Sequence, residues 1–222
     1  MGFEVLLKGN NMIRLLGGLC TALRISLISA VVSIFLGTVF GILLTTQKSV
    51  FNICFRIYLE TIRILPQMVL LFIAYFGVTK VFRVNLSAEA SSYIVFSLWG
   101  TAEMSDLVRA SLKGIPVIQY ESSYALGFTQ TQTYIYVVIP QIVRRMIPLS
   151  INLITRMIKT TSLIMMIGIV EVLQVGQQSI EANRKSSPNA AFGVFITIFF
   201  MYFAACWPIS RLSKYLEKKW VN

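Results

Sequence analysis

Histidine is absent from the 222 residues, and charged residues make up only 13% of them. Without imidazole the chain cannot build a Ser-His-Asp or Cys-His triad or an imidazole metal site. Its three cysteines, Cys20, Cys54 and Cys206, lie in or beside apolar runs and match neither a disulfide framework nor a zinc pattern. No G-x-x-x-x-G-K-[ST] loop occurs, so the chain has no Walker loop for ATP. We therefore expect a chain that is not an enzyme and holds no metal or cofactor.

What the chain has in excess is apolar surface and positive charge. Hydrophobic residues account for 56% of the sequence, and the mean hydropathy is +0.72. Soluble domains are about a quarter charged, so this composition indicates a membrane protein. The formal net charge is +11, but the basic residues flank apolar runs instead of forming a stripe. The positive-inside bias of membrane proteins explains that pattern better than nucleic-acid binding.

Five apolar segments are long enough to span a bilayer as helices. We place them at about residues 19–44, 57–81, 88–112, 147–173 and 190–209. The prediction is an all-α membrane protein with one transmembrane domain over residues 1–222 and a cytoplasmic loop over about 113–146.

An odd number of spans puts the two termini on opposite sides of the membrane. With the N-terminus outside, more basic residues fall on the cytoplasmic side than outside, as the positive-inside rule favours. The cytoplasmic set is Lys48, Arg56, Arg109, Lys113, Arg144, Arg145, Arg211, Lys214, Lys218 and Lys219, and the external set is Lys8, Arg14, Lys80, Arg83, Arg184 and Lys185. We expect the N-terminus outside and the C-terminus in the cytoplasm.

The segment from Glu121 to Pro148 is a polar element between apolar helices. Pro116 suits the first turn of a short helix that includes YESSYAL. Gly127 can end that helix in the left-handed conformation, and Thr129 can cap the next helix. The pattern predicts a compact helix–corner–helix knob. The alternative is a solvated loop with an ordinary glycine cap.

Three blocks of sequence resemble the permease subunits of type I ABC importers, in the polar amino acid branch (histidine, glutamine and arginine permease-like). They are GIPVIQYESSYALGFTQTQTYIYVVIPQ, YLETIRILPQMVLLFIAYFG and LITRMIKTTSLIMMIGIVEVL, and the likeness runs from about residue 21 to residue 173. The matching residues are Glu121, Gly127, Pro140 and Gln141 in the first block, Tyr58, Glu60, Arg63 and Pro66 in the second, and Lys159, Thr161, Ser162 and Leu163 in the third.

The blocks also depart from the family pattern. Ser122 and Ser123 replace two alanines, and Thr160 replaces an aspartate. Glu103 stands where the branch often has an aromatic residue. Two further departures, Ile64 and Leu65, replace Gly-Thr. The loss of the aspartate weakly disfavours arginine or lysine as the substrate.

The resemblance implies the transmembrane subunit of an ATP-driven importer that carries a polar amino acid by alternating access. The segment with Glu121, Ser122, Ser123 and Gly127 would be the coupling helix that docks on a homodimeric ABC ATPase. That ATPase would bind ATP and Mg. The other implied partners are a second permease subunit, identical or related, and an extracellular solute-binding protein. The chain would lie as a multi-pass protein in the cytoplasmic membrane of a prokaryote, among lipids, and bind no nucleic acid.

Charged residues at membrane depth are costly and face a cavity or a partner. Glu60 and Arg63, and Asp106 and Arg109, are three residues apart and so predict boundary ion pairs. Glu103 lies one turn deeper. It is a candidate either for the substrate pathway or for a structural pairing with Lys159.

The run Lys159, Thr160, Thr161 and Ser162 places four polar side chains in a row. One helix face cannot hide four successive residues from lipid, so part of the run must face protein or water. An ammonium and several hydroxyls suit an amino acid zwitterion. The alternative is helix–helix association through hydroxyls.

Two other function classes remain open. An ATP-independent secondary transporter or channel would use an intramembrane acid such as Glu103 for ion coupling. A non-transporting membrane scaffold would not need polar residues clustered in the third and fourth spans.

Overall fold

The computed structural model describes residues 2–46 and 50–220, and no strand occurs in those two ranges. Lys48, one of the residues in the topology argument, lies outside them. The helices are α1 (Glu4–Leu7), α2 (Asn11–Thr46), α3 (Val50–Ile64), α4 (Gln67–Phe72), α5 (Val78–Phe82), α6 (Ala88–Lys113), α7 (Val117–Ala125), α8 (Gln130–Thr133), α9 (Ile139–Thr160), α10 (Val172–Ala182) and α11 (Ala190–Trp220). The predicted all-α class is confirmed.

Three shorter segments connect or extend these helices. A π-helix, Ile73–Gly77, joins α4 to α5, and a second one, Tyr134–Val138, joins α8 to α9. A 3-10 helix, Thr161–Ile167, continues α9. It is long for its type, since 3-10 runs rarely exceed three or four residues and often mark hinges.

Three helical stretches of the described chain are long and apolar enough to cross a membrane, namely residues 11–45, 130–167 and 190–220. A bent pair, residues 52–64 with 67–82, makes a fourth if it counts as one span. α6 covers the third predicted span but is not in this set. Its charged residues, among them Glu103 and Asp106, lower its hydropathy. The number of five spans and the orientation therefore stay predictions.

The second predicted span is not straight. The sequence predicts one helix over residues 57–81, whereas the structure breaks it at Pro66 with a bend of 107°. Pro66 has an extended backbone (φ −60°, ψ 132°). A proline has no N–H to donate, and it pushes the preceding residue out of the helical conformation. The break follows from that local chemistry.

Residue contacts divide the chain into two compact units. The first contains the residues up to Ala30, Leu65–Ser97 and Ile154–Pro208. The second contains Val31–Ile64, Leu98–Leu153 and the residues from Ile209 onward.

In the first unit, α2 packs closely against the start of α10. A Cβ atom placed on Gly18 would lie 2.6 Å from the backbone nitrogen of Val172, so only glycine fits there. An apolar cluster surrounds this crossing; its buried members include Leu15, Val172, Val175, Val194 and Ile198.

In the second unit, α2 packs closely against α6. A Cβ on Gly37 would lie 2.5 Å from the Cβ of Met104, and one on Gly41 would lie 2.5 Å from the Cβ of Val108. Two small residues four apart let helix backbones approach closely, which is how helices associate without a hydrophobic driving force in lipid. This contact positions the charged residues of α6.

Candidate functional site

The predicted knob forms as the helix α7. Pro116 precedes it with an extended backbone (φ −61°, ψ 142°), and the helix ends at Ala125. Gly127 has φ +84°, a left-handed conformation that side chains rarely adopt. A Cβ on Gly127 would meet no atom within 4 Å. The glycine therefore serves the backbone turn and not the packing within this chain.

The next helix begins at once with a capping box. The side chain of Thr129 accepts a hydrogen bond from the backbone N–H of Gln132 at 3.3 Å, and the backbone N–H of Thr129 donates to the Gln132 side chain at 2.9 Å. Each side chain thus binds the backbone N–H of the other residue, which would otherwise have no partner at the start of a helix. The turn at Gly127 and the cap at Thr129 together orient α7 relative to α8.

One face of α7 is held against the start of α9. Ser123 is buried and donates to the carbonyl of Gln119 at 2.6 Å. The Tyr120 ring lies edge-on to Tyr134 with centroids 6.0 Å apart. Burial and the neighbouring tyrosines Tyr134 and Tyr124 raise the pKa of the Tyr120 phenol, so it stays a neutral hydroxyl at physiological pH. This face holds α7 in place.

The opposite face of α7 is apolar and open. Val117, Ile118, Tyr124 and Leu126 are 69%, 60%, 47% and 77% exposed. Glu121 and Ser122 are also exposed, whereas Ser123 points inward. Of the four predicted coupling residues, Glu121, Ser122 and Gly127 lie at the surface, and Ser123 is buried.

The charged residues of α3 and α6 form one cluster. Arg63 contacts Glu103 and Asp106, each at 3.0 Å, and Asp106 also pairs with Arg109. Within the described residues no ion pair joins Glu60 to Arg63, because Arg63 turns to the acids of α6. The sequence did not suggest Arg63 as the partner of Glu103.

Glu60 lies instead at a small polar cavity beside this cluster. The cavity has a volume of about 250 Å³, and its polar lining residues are Arg56, Glu60, Arg63, Asp106, Arg109 and Lys113. The ion pairs of Arg63 with Glu103 and Asp106 form a structural bridge between α3 and α6.

The run from Lys159 to Ser162 divides into an outer and an inner part. Lys159 is exposed, Thr160 and Ser162 are half-buried, and Thr161 is fully buried. The hydroxyls donate back to carbonyls of the preceding turn, Thr161 to Ile158 at 2.6 Å and Ser162 to Lys159 at 3.2 Å. Lys159 is therefore the most accessible side chain of the run, and Thr161 does not reach the surface.

Sequence reasoning missed Glu171 and Tyr202. Glu171 is fully buried and caps α10, accepting from the backbone N–H groups of Leu173 at 2.9 Å and Gln174 at 3.0 Å. The Tyr202 hydroxyl donates to it at 3.3 Å and also meets Thr161. The signal available in the sequence was Glu171 itself, an isolated acid that follows Gly168 and an apolar pair and can cap the start of a helix.

Among the described residues, no three His, Cys, Asp or Glu side chains lie close enough to hold a metal ion. The knob of α7, the charged cluster and the Lys159 segment are the candidate functional elements described above.

Known proteins resemble this chain over nearly its full length. Probable glutamine ABC transporter permease protein GlnP of Bacillus subtilis is 28% identical over 200 residues, which cover 90% of each chain. L-cystine transport system permease protein TcyB of Bacillus subtilis is 27% identical over 203 residues, 91% of this chain and 85% of the relative. A chain in the crystal structure of an amino acid ABC transporter with histidines superposes with a TM-score of 0.84 at 21% identity, covering 94% of both chains.

The family described as binding-protein-dependent transport system inner membrane component matches residues 16–222. The three sequence blocks lie within the match, and the resemblance they suggested is confirmed. This protein belongs to the family of binding-protein-dependent transport system inner membrane components.

Proposed function

We propose that this chain is the transmembrane subunit of an ATP-driven importer for a polar amino acid. A separate ATPase would bind ATP and Mg and drive alternating access through α7. The observation that carries the proposal is the surface of α7, where Val117, Ile118 and Tyr124 are exposed, with Leu126 exposed just after the helix, while the other face is packed against the chain that follows.

The exposed face of α7 fits a groove in a partner protein. Val117, Ile118 and Leu126 are each at least 60% exposed, and burying a large aliphatic side chain contributes roughly 1.5–3 kcal/mol. A contiguous apolar patch at the surface typically marks an interaction site. The open space around Gly127 lets a partner approach the corner closely.

The fixed face of α7 would carry a movement into the chain. Ser123 is buried, and the side-chain amide of Gln141 on α9 donates to Gln119 at 3.3 Å. An apolar cluster of Ile115, Val138 and Ile142 lies beside this contact. Pushing α7 would therefore move the start of α9, the helix that carries Lys159.

An amino acid substrate fits the Lys159 segment. The exposed ammonium would pair with the substrate carboxylate, and the oxygens of Thr160 and Ser162 would accept from its amino group. Thr160 stands where the family pattern has an aspartate, which could pair with a cationic substrate. A neutral polar or acidic amino acid therefore fits better than a cationic one. The names of GlnP and TcyB, which refer to glutamine and cystine, support this class.

The proposed assembly has two permease subunits, an ATPase dimer on the cytoplasmic face and a solute-binding protein outside. The family description, a binding-protein-dependent inner membrane component, supports it. The five spans, the external N-terminus and the location in a prokaryotic cytoplasmic membrane belong to the same proposal. The excess of basic residues on the proposed cytoplasmic side supports that orientation.

A secondary transporter is the weaker alternative. Ion coupling needs an acid that gains and loses its ion during the cycle, whereas Glu103 is already ion-paired with Arg63 at 3.0 Å. Such a transporter would also leave the exposed surface of α7 without a role.

The test is co-purification of the ATPase with Gly127→Trp, together with ATP hydrolysis stimulated by binding protein and substrate. We expect loss of both association and transport, because the indole blocks docking at the corner. Gly9→Trp is the matched control: Gly9 also has a positive φ, +57°, and a Cβ there also meets nothing within 4 Å. Intact association and transport in Gly127→Trp would refute the docking role.

A further inference from the structure

The small polar cavity between α3 and α6 has an excess of positive charge in its lining. The lining contains four basic and two acidic side chains, namely Arg56, Arg63, Arg109, Lys113, Glu60 and Asp106. Four cations against two carboxylates leave a net charge of +2. All six residues, and the half-buried Leu44 that lines the cavity with them, belong to the second unit.

Part of this charge is matched within the protein. Asp106 contacts Arg63 at 3.0 Å and also pairs with Arg109. Arg63 contacts a further acid, Glu103, which is outside the lining. When Glu103 is counted with the six lining residues, the group still has one cation in excess.

Three donors in the lining have no acceptor. Arg56 and Lys113 form no ion pair within residues 2–46 and 50–220. The Nε atom of Arg109 is buried and has no hydrogen-bond partner in the same ranges, although buried donors are almost always paired. Glu60 lies four residues after Arg56 on α3. Even if Glu60 balanced Arg56 completely, Lys113 and the Arg109 N–H would still lack an acceptor.

The cavity lies where three predicted spans end. Leu44 ends the first span, Arg56 precedes the second, and Lys113 follows the third. In the proposed orientation these three ends are on the cytoplasmic side, so a cytosolic solute can enter from water. The volume of about 250 Å³ corresponds to about eight water molecules at roughly 30 Å³ each. That is room for one small solute.

We propose that this cavity is a binding site for a small oxyanion, either the carboxylate of a cytosolic amino acid or inorganic phosphate. The guanidinium of Arg56, the ammonium of Lys113 and the Nε–H of Arg109 donate to its oxygens, since such cations bind carboxylate and phosphate groups through charge-assisted hydrogen bonds. Glu60 distinguishes the two ligands, because its carboxylate repels phosphate but attracts the ammonium of an amino acid. The site shares no residue with the Lys159 segment and does not depend on the proposed transport function.

The experiment is equilibrium dialysis of the full-length protein in detergent at low salt, with radiolabelled inorganic phosphate and radiolabelled L-glutamine as separate probes. At least one probe should bind saturably, at one site per chain. Arg56→Gln and Lys113→Gln together should weaken that binding by about 10-fold, because hydrogen bonds to charged groups are lost. Leu44→Trp should abolish it, since the indole fills the cavity while every cation remains.

Two further variants identify the ligand. The glutamine measurement is repeated in Lys159→Met, so that binding at the proposed transport site is not counted. Glu60→Gln should raise the affinity for phosphate, because a repelling charge is removed. The same change should lower the affinity for glutamine, because the ammonium of the amino acid loses its partner.

The matched control is Arg144→Gln with Lys219→Gln, which removes one arginine and one lysine from exposed positions of the second unit outside the cavity. It should keep the wild-type affinity. The proposal is overturned if neither probe binds saturably in Lys159→Met, if the control loses as much affinity as the cavity variant, or if Leu44→Trp binds like the wild type. Should Leu44→Trp fold poorly, Lys113→Gln alone, at an exposed position, must still weaken binding.

Discussion

Tyr202 donates a hydrogen bond to Glu171 across 3.3 Å, and Glu171 has no exposed surface. Glu171 also caps α10 through the N–H groups of Leu173 and Gln174. The pair joins α11 to the start of α10, and Thr161 at the start of the 3-10 helix meets the same tyrosine hydroxyl.

We expect Tyr202→Phe to lower the free energy of unfolding by about 1–3 kcal/mol, because it removes one partner of a buried acceptor. Glu171→Ala should cost more, since it also removes the N-cap. Thermal unfolding in detergent measures both. Tyr215→Phe is the matched control: it removes the same hydroxyl from a 62% exposed position on the same helix and should be close to neutral. Equal stability of Tyr202→Phe and the wild type would show that the hydrogen bond does not hold the helices.

We expect Arg63→Met to destabilise the second unit by about 1 kcal/mol, because Glu103 and Asp106 lose their shared cation. The estimate is low because the Arg63 side chain is 42% exposed and water screens the charges. A double-mutant cycle of Arg63→Met with Glu103→Gln isolates the interaction. Additive effects of the two changes would contradict it. Glu60→Gln is the control, since no ion pair within the described residues includes Glu60.

We expect Gly41→Ala to destabilise the protein by about 1–3 kcal/mol, because the new Cβ would lie 2.5 Å from the Cβ of Val108. A Cβ atom is fixed to the backbone, so α2 and α6 must move apart. Gly17→Ala is the matched control: it lies on the same helix, and its Cβ would meet nothing within 4 Å. Thermal unfolding should separate the two variants. Gly17→Ala should be neutral or slightly stabilising, because alanine has the higher helix propensity; a fall in its stability as large as that of Gly41→Ala would contradict the packing explanation.

We expect Lys159→Met to weaken amino acid binding by about 10- to 100-fold, because a charge-assisted hydrogen bond contributes about 1.5–3 kcal/mol. Isothermal titration of the purified complex measures the affinity. Lys185→Met removes the same charge from an exposed position and should leave affinity unchanged. Unchanged affinity in a folded Lys159→Met complex would remove Lys159 from the substrate site.

We expect Thr161→Val to act differently from Ser162→Ala. Thr161 is fully buried beside Tyr202, so its replacement should lower stability and leave the substrate contacts themselves intact. Ser162 is half-buried, so its replacement should weaken binding and leave stability near that of the wild type. Paired unfolding and binding measurements check both, and the reverse pattern would contradict this division.

Local features of the chain were open to prediction from the sequence. The helix α7, its end at Gly127 and the cap at Thr129 depend on residues within a few positions of one another. Apolar runs of spanning length indicated the all-α class, because only helices satisfy their own backbone groups within a short segment of lipid-exposed chain. The three sequence blocks that resemble the permease family are also continuous stretches, so they could be recognised without the structure.

Contacts between residues that are far apart in the sequence could not be predicted from local patterns. The i,i+3 spacing suggested Glu60 as the partner of Arg63, but the packing of α3 on α6 gave it Glu103 and Asp106. The role of Glu171 depended on Tyr202, 31 residues away.

From the amino-acid sequence alone one can predict a helical membrane protein of a known transport family with a capped knob. Which face of that knob is free, and which acids Arg63 contacts, follow from how the helices pack. The same packing turns Thr161 inward and leaves Lys159 exposed. Caps and apolar periods act over one or two helical turns, whereas burial and ion pairing depend on which helices lie side by side.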